Sequence, residues 1–318
     1  MKHNIKITIL LLSMFVLTQF IGLYVIDSDI FHRTVEVGGV NETVTNPILS
    51  AIEPPEIIRE SDFTQYLVSI IFAFILAIFI LFLLTKFKID IILRVWFFVV
   101  VAIALFITFN AFFPRYINSV YFLIPAIVLA LTLSFLKIFK RSFLVHNVTE
   151  LLIYPGIATI FVPILNFWSI IVLLLIISAY DIWAVWHSGI MQKMAKYQIN
   201  KLKVFSGFFV PYVSKKMRKQ LQKLRKNKKL KKKKVKVNIA ILGGGDVIFP
   251  IITAGVMLKT LGFTSAIFVI AGATLGLALL LMFSEKKKFY PAMTFVTLGC
   301  LFSYVIILLT FCPCKYSN

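Results

Sequence analysis

From residue 4 to residue 311 the chain is a succession of apolar runs separated by short polar connections. Each run is near the length that crosses a bilayer, about 20 residues as a helix. In hydrocarbon every backbone polar group must find its partner within protein, so runs of this kind fold as helices packed on one another. The runs fall at about 4–26, 66–84, 95–113, 121–139, 151–165, 167–186, 237–258, 265–283 and 289–311. The chain is 60% hydrophobic with a mean hydropathy of +0.93, too apolar for a soluble globule. The expectation is an all-α polytopic membrane protein with nine transmembrane helices. Two subdomains are expected: residues 1–150 with the first four spans, and residues 151–318 with the last five. The fifth run is short and interrupted by Pro155, Gly156 and Pro163. Almost no loop separates it from the sixth, so those two are expected to be antiparallel neighbours.

The formal charge of +21 does not point to nucleic acid, because the basic residues sit mainly in connections between spans. Residues 187–236 hold 18 Lys and Arg and no Asp or Glu, whereas the first loop, 27–62, holds eight acidic residues and two basic ones. With nine spans the basic connections all fall on one face. The positive-inside rule then places the N-terminus in the cytoplasm and the C-terminus outside, in a cell membrane. The lysines are expected to meet anionic headgroups. Four scattered histidines lack a His-Glu-x-x-His pattern, and Cys312 and Cys314 lack further ligands, so no metal and no cofactor is expected. The sequence sets no oligomeric state.

Two carboxylates lie well inside apolar runs, Asp181 in the sixth and Asp246 in the seventh. A carboxylate there is costly by several kcal/mol and marks a functional site by default. Asp181 is about five residues, or ~8 Å, from the basic end of its span, and Asp246 about nine residues, or ~14 Å. The spans run in opposite directions, so the two depths are compatible. Gly243, Gly244 and Gly245 precede Asp246, and Pro250 follows; both residue types weaken a helix. Two carboxylates brought close in a dry site share a proton near neutral pH. That is the chemistry of aspartic proteolysis, in which one member deprotonates water and the other protonates the peptide carbonyl. The same pair also suits a proton relay in a transporter, although no internal repeat accompanies it.

Three motifs carry a resemblance: Tyr180-Asp181 in the sixth span, Gly243-Gly244-Gly245-Asp246 in the seventh, and Pro291-Ala292-Met293 at the start of the ninth. In that order, with a long basic loop between the first two, the chain resembles the presenilin and signal peptide peptidase family of intramembrane aspartyl proteases. It is most like microbial presenilin homologues. The resemblance implies catalysis by Asp181 and Asp246 and substrate positioning by Tyr180, Gly243, Gly245, Pro291, Ala292 and Met293. Met293 stands where the family has leucine. The implied substrates are transmembrane proteins or peptides, with an unwound segment added as a strand near Pro291. A prepilin-type peptidase shares the Gly-x-Gly-Asp pattern, but its partner aspartate lies near the chain start. Gly244, the variable position, is expected to tolerate a side chain better than Gly245. Within the basic loop, residues 204–213 are apolar and too short to span. They are expected to be a surface anchor, a plug over the active-site mouth, or a self-cleavage site.

Overall fold

The computed structural model describes residues 5–37, 40–47, 49–55, 57–87, 90–112, 120–140, 142–188, 206–212, 238–284 and 290–311. Most of the basic loop and the tail cysteines lie outside them. Nine helices occur among the described residues: α1 (Ile5–Asp27), α2 (Glu60–Phe87), α3 (Asp90–Phe112), α4 (Val120–Phe139), α5 (Phe143–Phe161), α6 (Phe167–Trp183), α7 (Gly244–Leu261), α8 (Phe263–Phe283) and α9 (Ala292–Phe311). Eight of these are long and apolar enough to cross a membrane, and α4 holds a shorter apolar stretch. The all-α membrane architecture holds, with two antiparallel hairpins added to it. One pairs β1 (His32–Val37) with β2 (Val40–Thr45) in the first loop; the other pairs β3 (Gly207–Tyr212) with β4 (Asn238–Gly243).

The main core is shared by α1 and α5 to α9 together with β3 and β4. Close backbone approach is what small residues permit in a membrane, where apolar surface alone drives little association. A Cβ on Gly272 or Gly276 of α8 would strike the backbone of α9, and one on Gly299 would strike α8. Gly262, at φ 88°, turns the chain between α7 and α8 in a single residue.

Four expectations are corrected. The seventh apolar run is not one span: its first part, Asn238–Gly243, is strand β4, and the helix starts only at Gly244. Asp246 is therefore the third residue of a helix rather than nine residues deep in one. The fifth span starts earlier than its apolar run, at Phe143, and passes through Pro155 and Gly156 without a break. Gly156 lets the backbone of Ala104 in α3 come close, and Thr108 Oγ1 donates to the carbonyl of Leu152 at 2.7 Å, so polar backbone near the proline finds a partner across the helices. That early start brings Glu150 into a span as a third acid, itself buried and paired with Lys137 of α4. Finally, α6 does not lie along α5; it packs chiefly on α9, α7 and α2.

Candidate active site

Asp246 occupies the junction between β4 and α7. Gly243 ends the strand and is the residue that caps the helix, which places Gly244, Gly245 and Asp246 in the first turn. The carboxylate of Asp246 folds back toward the backbone N–H of Gly243, with Oδ2 3.0 Å from where a Cβ on Gly243 would stand. This is half of a capping box, in which the third helical residue reaches back to the cap. The ladder leaves that N–H available. Asn147 of α5 takes both the N–H and the C=O of Phe209, so those groups point away from β4, and Phe209 faces Ile241. Two residues along, Gly207 faces Gly243 with the same orientation, because the pattern repeats every second residue. A Cβ on Gly243 would stand 3.0 Å from Asp246 Oδ2, so glycine there gives the carboxylate room to fold back.

Asp181 lies two residues before the C-terminus of α6 and is buried. Its Oδ2 accepts the backbone N–H of Met293 at 3.0 Å. Met293 is the second residue of α9, so this N–H is one of the four that a helix start leaves without an internal partner. The proline of the third motif fits the role: Pro291 immediately precedes the first helical residue and is buried. Each aspartate is thus held by a helix N-terminus, Asp246 by its own helix and Asp181 by α9. Such an end carries partial positive charge and is worth about 0.3–1 kcal/mol to an anion, up to about 2 in favourable partly buried geometry. The end of α6 and the starts of α7 and α9 meet at one end of the bundle, and Asp181 and Asp246 lie within electrostatic reach of each other.

Tyr180 turns the other way. Its ring meets Phe74 of α2 edge-on at 5.7 Å and lines a cavity of about 850 Å³ between α2, α6 and α7. Tyr66, Ile70, Phe74, Ile176 and Phe249 also line it, and its wall is almost wholly apolar. The volume lies in the range of small-molecule and peptide sites.

The three glycines differ in a way the pattern alone does not reveal. Gly244 is buried, and a Cβ there would meet Ser206 Oγ at 2.6 Å and Tyr154 Oη at 2.7 Å. Gly245 is exposed, with nothing nearer than Phe249 Cε2 at 3.9 Å. The sterics run against the expected tolerance at Gly244, since a Cβ there makes the closest contacts of the three. The surface-anchor expectation for residues 204–213 fails for the part described. Phe208 and Val210 are buried in the main core, and β3 is a structural strand beside the site. The sequence reading also missed Asn147, Tyr154 and Ser206. A signal was present in the polar stretch His146-Asn147-Val148-Thr149-Glu150 directly before an apolar run, which marks a helix start carrying work for its polar side chains.

The family model for signal-peptide peptidase, presenilin aspartyl protease matches residues 40–312. A solved structure of a presenilin family intramembrane aspartate protease, in a C222 space group, superposes with a TM-score of 0.56 at 16% identity, covering 94% of this chain and 97% of that one. A second structure with that description, in a P2 space group, gives a TM-score of 0.49 at 16% identity, over 93% and 96% of the two chains. Comparison with curated sequences gives no match. A family match over most of the length, on a multi-pass helical membrane fold, makes this chain a member of the signal-peptide peptidase and presenilin family of intramembrane aspartyl proteases.

Proposed function

We propose that the protein is an aspartic endopeptidase that hydrolyses peptide bonds within transmembrane segments of membrane proteins, with Asp181 and Asp246 as its catalytic dyad. The observation that carries this reading is that both carboxylates, from helices running in opposite directions, come to one end of the bundle beside an apolar cavity. The pair shares one proton. The ionised member takes a proton from water as the water attacks the scissile carbonyl, and the protonated member donates to the carbonyl oxygen. The N–H of Met293 holds Asp181 Oδ2 and the N–H of Gly243 faces the Asp246 carboxylate, and the oxygens not so held are the ones that act on water and substrate. Tyr180 and Phe249 belong to the apolar wall that receives the substrate helix. A relay for transport makes no use of this cavity or of the hairpin beside it.

A helix must unwind before a protease can cut it, and its freed backbone then needs partners. The outer edge of β4 offers them. The outer edge of β3 is taken by α5, whereas β4 pairs with no second described strand. By the alternation above, Ile239 and Ile241 present their N–H and C=O outward along that edge. Pro211, opposite Ile239, fits because a residue at such a position donates nothing to the ladder. The substrate adds here as a strand, leading its backbone toward Asp246. With the basic loop on the cytoplasmic face, the side its lysines select under the positive-inside rule, substrates with an outside N-terminus are the fitting class.

The test uses purified protein in liposomes with a single-span reporter. Asp181→Asn and Asp246→Asn should each abolish cleavage without changing the folded yield, since the amide keeps the volume but cannot cycle a proton. Near wild-type cleavage by either variant refutes the dyad. Ile241→Pro should leave the hairpin intact and raise KM or stop cleavage; an unchanged KM and kcat would refute strand addition.

A further inference from the structure

Helix α5 carries a row of polar side chains that the chemistry above does not use. His146, Asn147, Glu150 and Tyr154 fall within about 100° of arc on one helical face. Polar groups inside a span are costly, and each of these is engaged. His146 Nε2 lies 2.8 Å from the carbonyl oxygen of Gly207 and donates to it. Asn147 donates through Nδ2 to the carbonyl of Phe209 at 2.7 Å and accepts that residue's N–H at 2.9 Å. One side chain thus satisfies a strand residue twice, as the backbone of a neighbouring strand would. Glu150 is buried against Lys137 of α4, with His146 Nε2 at 3.5 Å, which ties this face of α5 to α4. The buried ring of Tyr154 meets Phe208 of β3 edge-on at 5.8 Å, and its hydroxyl lies 3.3 Å from Ser206 Oγ.

The row ends at the site. Gly244 is seated on Tyr154, with space for a Cβ blocked by the tyrosine's hydroxyl and, at 3.1 Å, by its ring carbon Cε1. Asn147 fixes β3, β3 fixes β4 through its ladder, and β4 ends at Gly243, while Tyr154 sets where the first turn of α7 lies. Both routes converge on the start of α7 that carries Asp246.

We propose that Asn147 and Tyr154 are positioning residues for Asp246, a clamp on α5 that holds the β3–β4 hairpin and the Gly244 turn so that the carboxylate is delivered to Asp181. This rests on Asp246 being one member of the catalytic pair. The clamp acts through Gly244: the residue tolerated at the variable position of Gly-x-Gly-Asp is set by what faces it on α5.

The experiment measures kcat, KM and the pH profile of the full chain in liposomes for Asn147→Leu, Asn147→Asp, Tyr154→Phe, Gly244→Ala and the double variant Tyr154→Phe with Gly244→Ala. Asn147→Leu should lower kcat by about tenfold, the scale of two lost hydrogen bonds. Asn147→Asp keeps the acceptor for Phe209 N–H and should lose less. Gly244→Ala should lower kcat by about tenfold and change the width of the bell-shaped pH profile, because the proton sharing of a dyad depends on its separation. Adding Tyr154→Phe removes one of the two oxygens the new methyl meets, Ser206 Oγ at 2.6 Å remaining, and should recover about twofold to threefold and move the width part of the way back. A purely structural role would lower the yield of active enzyme at an unchanged profile. Wild-type kcat in Gly244→Ala, or a double variant no better than Gly244→Ala alone, overturns the clamp. If Asn147→Leu does not fold, the Gly244→Ala variant and its double with Tyr154→Phe still decide. Failure of the dyad itself would appear separately, as activity retained in Asp181→Asn or Asp246→Asn.

Discussion

The substitution Gly243→Ala tests the fold-back of Asp246 directly. Gly243 has φ −65° and ψ 147°, a conformation alanine adopts freely, so the backbone raises no objection. The objection comes from the carboxylate. The added Cβ stands 3.0 Å from Oδ2, where ordinary contact begins near 3.4 Å. Asp246 must move by about 0.4 Å or give up the Gly243 N–H. A misplacement of about 1 Å costs on the order of 100-fold in rate, so 0.4 Å scales to about sixfold in kcat. The loss of a glycine cap adds a few tenths of a kcal/mol to about 1 kcal/mol of stability cost. Gly245→Ala is the counterpart. Its nearest neighbour is 3.9 Å away, and alanine favours the helix by up to about 1 kcal/mol, so kcat should stay within about twofold and the melting temperature should hold or rise. Gly245→Leu should then lose activity without losing stability, because the larger side chain fills the open space beside Asp246. The assay is cleavage of a single-span reporter in liposomes, with melting in detergent measured in parallel. If Gly245→Ala loses more activity than Gly243→Ala, the steric account of this motif is wrong.

Deleting residues 204–213 removes β3 and the partner of β4, so cleavage should fall to background; faster cleavage would restore the plug. Met293→Leu keeps the N–H that reaches Asp181 and a side chain of similar volume, so at least half of kcat should remain; a loss above tenfold would mean that the side chain, not the backbone donor, matters. Lys137→Met leaves Glu150 buried without its cation and should cost about 3–5 kcal/mol of stability, with Glu150→Gln in the same chain recovering part of it; an unchanged melting temperature would refute the pairing.

The spans were legible because a bilayer leaves a chain little choice: a long apolar run must be helical, and its length and flanking charges locate it. Asp181 and Asp246 stood out for the same reason, as charges in a place where charge is expensive. Hydropathy does not register hydrogen bonds, and that is where the reading stopped. Residues 238–243 are as apolar as the helix that follows, so only pairing with β3 reveals a strand, and that pairing joins segments some thirty residues apart. Glu150 and Lys137 looked like span ends because each is polar alone; they lie inside the protein because each neutralises the other. Gly243, Gly244 and Gly245 are identical letters with three different jobs: one makes room for a carboxylate, one lies against Tyr154, and one leaves space open. The sequence by itself determined that this chain spans a membrane and singled out two carboxylates in its apolar runs. Only the tertiary structure decided which helix ends hold those carboxylates and which strand edge stays open, because both follow from contacts between residues far apart in the chain.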